Sequence, residues 1–233
     1  MEPKLPFDGF VSISEMYQAT QQVLFPTQVF GLLGDKLKIW LNDLLDALAV
    51  GPQGLVLGKV HPQAVLEGRV YIAEGACVEP TAYIQGPAYI GPGTEVRHGA
   101  YLRGYVYAGR NCVIGHTTEV KASVFCDEAK AGHFAYVGDS ILGRHVNLGA
   151  GTKLANLKLR GDEVFYLDPK TGKKTPSGLR KFGSLIGDYV QTGCNSVISP
   201  GSLLMAHTFV MPCAHFHGTL RTPPPAKSSR TES

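Results

Sequence analysis

A mainly β fold, a parallel β-helix wound from hexapeptides, is what this 233-residue sequence predicts, on three observations. Stepping by six from Val60 gives Val60, Leu66, Ile72, Val78, Ile84, Ile90, Val96, Leu102, Ala108, Ile114, Val120 and Cys126, an unbroken apolar series. At 44% hydrophobic composition such a series arises by chance about once in twenty thousand for a given phase. Four places after these positions stand small or slender residues: Ala64, Val70, Ala76, Ala82, Ala88, Thr94, Ala100, Val106, Cys112, Thr118 and Val124. One large and one small side chain per hexad therefore point inward. Finally, 28 glycines and 15 prolines, as in Gly86-Pro87 and Gly91-Pro92-Gly93, supply corners where a side chain would obstruct the turn.

Before the repeat, residues 1–52 read as a helical extension. Ser12-Ile13-Ser14-Glu15 reads as a capping box that opens an amphipathic stretch ending before Pro26. Leu37, Trp40, Leu41, Leu44, Leu45 and Leu48 predict a second helix by their three-and-four spacing. These helices are expected to cap the open end of the β-helix or to pack on a neighbouring chain. The β-helix itself is expected over 53–220, with an excursion at 157–183. There Asp168-Pro169-Lys170-Thr171-Gly172 marks a tight turn between two extended arms. The excursion carries seven Lys and Arg against three Asp and Glu, a net +4 in a chain whose formal net charge is +3. It reads either as a solvated hairpin or as a basic flap over a phosphorylated ligand. The repeat resumes as Ile186, Thr192, Ile198, Leu204, Val210 and Phe216, and a tail over 221–233, with Pro223-Pro224-Pro225, reads as disordered.

Composition narrows the function. A net +3 with 18% charged residues is no nucleic-acid footprint. Five cysteines without a C-x-x-C suggest neither a disulfide framework nor a zinc site and fit a reducing compartment. No run approaches the roughly 18 apolar residues of a membrane span, and the first residues lack a secretory pattern, so a cytoplasmic protein without membrane partner is expected. His215 and His217 face one way on a strand near His207, but no carboxylate or thiol at suitable spacing completes a metal site, and no metal is expected.

The repeat turns spacing into geometry, because coils stack at strand spacing, roughly 4.8 Å. Arg103 and Lys121 each follow a repeat position and are 18 apart, so they are expected on adjacent coils, same side. Two cations that close repel unless an anion lies between them, and a phosphate matches both donors.

The stretch KAGHFAYVGDSILGRHVNLGAGTKLAN, Lys130 to Asn156, resembles the acetyltransferase domain of the bifunctional bacterial enzyme that makes UDP-N-acetylglucosamine from glucosamine 1-phosphate. SGLRKFGSLIGDYVQTGCNSVISPG, Ser177 to Gly201, is similar to archaeal sugar-phosphate nucleotidylyltransferases with a like C-terminal domain. The resemblance implies a left-handed hexapeptide β-helix of 18-residue coils and a homotrimer. It also implies acyl transfer from acetyl-CoA, as co-substrate, to the amine of glucosamine 1-phosphate or a related amino sugar phosphate. By that resemblance His133 is the catalytic base, oriented by Glu119. Tyr136, Asn147 and Asn156 serve the substrate site, and Arg103, Lys121 and Lys181 hold the sugar phosphate. On the donor side Cys194 stands where the bacterial form has a serine, and thiols are poor hydrogen-bond donors. The last hexads, LLMAHTFVMPCAHFHG, lack most of the small residues against which the family's coenzyme lies. These departures support an alternative: a noncatalytic β-helix that binds a sugar phosphate or nucleotide sugar, or scaffolds a separate nucleotidylyltransferase. No Gly-rich phosphate loop precedes the repeat, so nucleotidyl transfer is not expected of these residues alone.

Overall fold

The computed structural model describes residues 32–169 and 171–221; the capping box and the proline-rich tail lie outside them. Among the described residues, strands of two to four residues form three parallel sheets of nine, eight and eight strands, plus one two-stranded antiparallel hairpin. Successive strands pass from sheet to sheet, and each pairs with the strand one coil later. The molecule is thus a left-handed parallel β-helix with three faces. The first face contains Val70–Ile72 and Val106–Ala108, the second Val113–His116 and Lys130–His133, and the third Tyr101–Arg103 and Glu119–Lys121.

The interior is the predicted double column. Ile72, Ile84, Ile90, Val96, Leu102, Val106, Ala108, Ile114 and Val120 are fully buried in one core. Corners follow the same six-step. Thr81, Gly93, Gly99, Tyr105, Asn111 and Thr117 all have positive φ. At Gly93 the need for glycine is twofold, since φ is 69° and a Cβ would strike the Asn111 side chain.

The repeat then slips. Ala122 and Asp139, both at positive φ, come five residues after Thr117 and Phe134 instead of six, and the coil shortens to 17 residues. Pairing changes from Ala88 with Val106 to Val106 with Ser123 and Ala108 with Phe125. Ser123 and Phe125 therefore take the inward places expected for Val124 and Cys126, which turn outward, because a one-residue shift exchanges the two sides of a strand. Beyond the excursion the offset of 18 returns, with Ser184 beside Ser202.

The outward-turned residues are buried by a second layer. The helix Gly34–Ala47 lies along the first face and buries Leu37, Trp40, Leu41, Leu44 and Leu45. This differs from the expected end cap. The outer surface of the first face is itself apolar, with Val124, Cys126, Ile141, Leu185 and Leu203, and burying it against the helix removes that surface from water. Trp40 packs 5.2 Å from Tyr107, the last ring of a stack in which Tyr71, Tyr89 and Tyr107 follow at 5.1 and 4.9 Å. Arg69 binds the helix end through Asp46, Asn42 (3.3 Å) and the Val50 carbonyl (3.2 Å). The excursion forms the antiparallel pair Phe165–Leu167 and Lys174–Pro176, and Val164, Tyr166 and Phe182 join the same outer core.

Coil stacking is tightest at Gly115, where a Cβ would lie 1.7 Å from the Gly132 carbonyl oxygen of the next coil; at Gly132 itself a Cβ would meet nothing within 4 Å. Gly115→Ala is expected to cost about 1–3 kcal/mol or more, as overpacking against backbone does. Gly132→Ala should leave the melting temperature almost unchanged. Thermal denaturation of the two variants side by side checks this, and equal melting temperatures would contradict the stacking.

Candidate functional site

Functional candidates gather where the third face ends and the chain turns to the first. Leu102 pairs with Val120, so Arg103 and Lys121 sit on adjacent rungs, as their spacing indicated. Each already has an anion of its own. Arg103 Nη1 donates to Glu119 Oε1 at 2.7 Å, and Lys121 Nζ donates to Asp139 Oδ2 at 3.2 Å. The mutual repulsion expected of the two cations is thereby answered within the chain. The Glu119 contact also holds Arg103 firmly protonated.

Asp139 is nearly buried, at 5% exposure, and takes the corner after Gly138. Its Oδ2 also accepts a hydrogen bond from Asn156 Nδ2, and Asn156 Oδ1 accepts one from the Tyr136 hydroxyl at 3.4 Å. Gly138 makes this chain of contacts feasible, since a Cβ there would lie 2.7 Å from both the Tyr136 hydroxyl and Asn156 Nδ2. Burial, then the Glu119 and Asp139 charges, raise the Tyr136 pKa, so at neutral pH the phenol keeps its proton and acts as a donor.

Around this corner lies a cleft of about 490 Å³ lined by Lys38, Arg103, Lys121, Asp139, Arg180 and Lys181, among others. Lys38 comes from the helix, where Asp35 pairs with it at 2.8 Å. Arg180 and Lys181 come from the returning arm of the excursion, closed at its base by a bridge between Leu157 and Lys181. Arg180 Nε donates to the Gly161 carbonyl, and neither residue has a carboxylate partner among the described residues. The cleft is therefore cationic in excess.

The structure thus brings Arg103, Lys121 and Lys181 into one cleft and places Tyr136, Asn156 and Glu119 beside it. Three other candidates stand elsewhere. His133 ends a strand of the second face, paired in register with His116, and is exposed. Among the described residues no hydrogen bond joins it to Glu119, because Glu119 lies on the third face beside Tyr136 and is bound by Arg103. Within one chain Glu119 therefore steadies Arg103 and not the imidazole. Asn147 is exposed on the second face beside Lys130. Cys194 is an exposed free thiol at the corner after Gln191–Thr192, stacked so that its carbonyl accepts from the Cys213 amide.

Sequence reasoning assigned no site role to Asp139, Lys38 or Arg180. Asp139 was only partly discoverable: it stands 18 after Lys121, but the coil here has 17 residues, so Lys121 pairs with Gly138 and Asp139 takes the corner beyond it. Lys38 and Arg180 carry no such signal, because only packing brings helix and excursion to this edge.

Among the described residues no three of His, Cys, Asp and Glu stand close enough to share a metal ion. His207 stacks on Tyr189 at 4.9 Å and His215 pairs with Ser199 at 2.7 Å. Burial pushes the Cys112 thiol up to about 12, and Cys126 is raised by the same cause, so both interior thiols stay protonated. No helix among the described residues is long and apolar enough to cross a membrane.

A family model described as the GMPPB C-terminal domain matches residues 84–171. The chain is 42% identical over 158 residues to a bifunctional sugar-1-phosphate nucleotidylyltransferase/acetyltransferase of Sulfurisphaera tokodaii, covering 68% of this chain and 39% of that protein. It is 50% identical over 155 residues to the bifunctional protein GlmU of Methanococcus maripaludis, covering 66% of this chain and 37% of the relative. The chain spans about two fifths of the length of these relatives. Among solved structures, a hexapeptide transferase family protein from Anaplasma phagocytophilum aligns over 72% of this chain and 80% of its own, at 16% identity and TM-score 0.28.

Proposed function

On the premise that this chain is homologous to the bifunctional sugar-1-phosphate nucleotidylyltransferase/acetyltransferases, we propose that it is an acetyltransferase of amino sugar phosphates. It moves the acetyl group of acetyl-CoA to the amine of glucosamine 1-phosphate or a close relative. The observation that carries this reading is the cleft, where cations from three parts of the chain surround the chain of contacts Lys121, Asp139, Asn156 and Tyr136. A phosphomonoester is a dianion at neutral pH and meets there two cations without carboxylate partners, Arg180 and Lys181. Arg103 and Lys121 are held in place by their own anions.

The chemistry needs a base, since an ammonium has no lone pair for a thioester. In this proposal the ammonium releases one proton to solvent, and His133 takes a second from the nitrogen as it attacks the thioester carbon. The C–S bond breaks as the amide forms, and the imidazolium returns its proton to the departing thiolate. Tyr136 and Asn156 hold the sugar against the acyl group. Amine and phosphate sit on adjacent carbons of the sugar, and His133 does not line the cleft of its own chain. The base is therefore assigned to a neighbouring copy, in a homotrimer whose corners meet at this edge.

The test is release of free thiol from acetyl-CoA. Release is expected to require glucosamine 1-phosphate or a similar amino sugar phosphate, and to fail with the sugar phosphate lacking the amine. Phe209 and Met211, 67% and 70% exposed on the last coils, favour a second reading in which the chain binds the sugar phosphate without acylating it. Binding of the sugar phosphate without any thiol release would establish that reading and defeat the first.

A further inference from the structure

The basic excursion feeds a second cavity as well as the cleft. About 600 Å³ in volume, it lies between the hairpin and the last coils of the third face and shares no lining residue with the cleft. Leu157, Leu159 and Leu167 line it although each is exposed, Leu159 fully, and Phe165 and Pro200 extend the apolar surface. Lys158, Arg160 and Lys174 stand around it, and no carboxylate is among its lining residues. Lys158 and Lys174 both approach the Phe165 ring, at 5.5 and 4.8 Å from its centre. Lys158 is bound by Asp162 at 2.7 Å, and the Arg160 charge also acts on that carboxylate, but neither Arg160 nor Lys174 makes a close ion pair among the described residues. The cavity is also built in: Thr219 Oγ1 donates to the Leu167 carbonyl at 2.6 Å and Arg221 Nη2 to the Pro169 carbonyl at 2.7 Å, clasping the hairpin to the last coil.

We propose that this cavity is a nucleotide site, with phosphates on Arg160, Lys174 and Lys158 and the base against Leu157, Leu159, Phe165 and Pro200. Its size is that of pockets for small organic ligands. Two cations outside any close ion pair match a phosphate better than the single charge of a carboxylate, and the apolar wall gives a flat base what inorganic phosphate cannot use. Ser199 and His217, also in the lining, offer hydrogen-bonding groups to the base edge. A free nucleotide here would be independent of the acetyl-transfer reading, whereas the nucleotide end of a coenzyme would rest on it, and the binding measurement needs no turnover in either case.

The test is calorimetric titration of the full chain with ADP, coenzyme A and inorganic phosphate, with no turnover involved, so the acetyl-transfer assay can fail without touching it. ADP is expected to bind at least tenfold more tightly than phosphate. The double variant Arg160→Glu, Lys174→Glu and, separately, Leu159→Asp should each weaken ADP at least tenfold with unchanged melting temperature, and Lys121→Ala should leave ADP binding unaltered. Coenzyme A binding more tightly than ADP, and weakened by the same changes, assigns the site to a coenzyme; equal or weaker binding assigns it to a free nucleotide. Absence of ADP binding at millimolar concentration, affinity for phosphate equal to that for ADP, or ADP binding lost with Lys121 and indifferent to Arg160 and Lys174 would overturn the proposal.

Discussion

His133→Ala is expected to lower acyl transfer by about 10²–10⁴-fold, the range for removal of a general base, with a melting temperature close to that of the parent protein. The second half follows from exposure: the imidazole packs into no core and makes no hydrogen bond among the described residues, so its removal leaves no cavity and no orphaned buried group. A fall in melting temperature alongside the activity would show His133 to be structural. The same substitution tests where the base acts. If the cleft and the base of one site come from different copies, mixing His133→Ala with Lys121→Ala chains should restore activity at acceptor concentrations far below saturation, where the Lys121→Ala chains alone turn over slowly. In a randomly reassorted trimer about a quarter of the sites then pair an intact cleft with an intact histidine. No recovery on mixing, under conditions where the subunits demonstrably exchange, would place base and cleft in one chain.

Loss of the phosphate anchors should follow at about tenfold or more. Arg103→Ala or Lys121→Ala is expected to weaken the phosphorylated acceptor by about 1.5–3 kcal/mol, toward the lower figure because both side chains are partly exposed and solvent screens them. The unphosphorylated amino sugar should lose far less, and the double replacement should be less than additive, since both groups address one anion. The ligand-free protein responds as the ion pairs dictate. Lys121→Ala leaves the Asp139 carboxylate, 7% exposed, without its cation and should lower the melting temperature. Arg180→Ala breaks no carboxylate pair and should weaken the acceptor without lowering it. Substrate titrations and melting curves on the same four variants separate these effects. Equal losses for phosphorylated and unphosphorylated acceptors would reject the phosphate assignment.

Much of the coil was legible in the sequence because a hexapeptide repeat is a local rule: each inward position needs only the identity of residues six apart. That rule holds from Ile72 to Val120 and again from Ile186, and it identified the neighbouring rungs of Arg103 and Lys121. It failed at Val124 and Cys126 for a definite reason. Ser123-Val124-Phe125-Cys126 is bounded by a shortened corner at Ala122 and buried on both sides, by the coil within and by the helix without. A strand with two buried sides shows no polar alternation to reveal its phase.

The site divides along the same line. Arg103 and Lys121, which stack along one edge of the coil, are related by spacing, so the sequence by itself determined that they are neighbours, whereas the 17-residue coil that follows sets Lys121 beside Gly138 and leaves Asp139 at the next corner. Lys181 was expected beside them only through the resemblance; only the tertiary structure decided that Lys38 from the helix and Arg180 from the excursion join them, that each of the stacked cations has its own carboxylate, and that a second cationic cavity opens under the hairpin. Such meetings depend on where the helix and hairpin dock on an apolar outer face. Docking is set by the whole buried surface of that face, a quantity that no short-range spacing in the chain encodes.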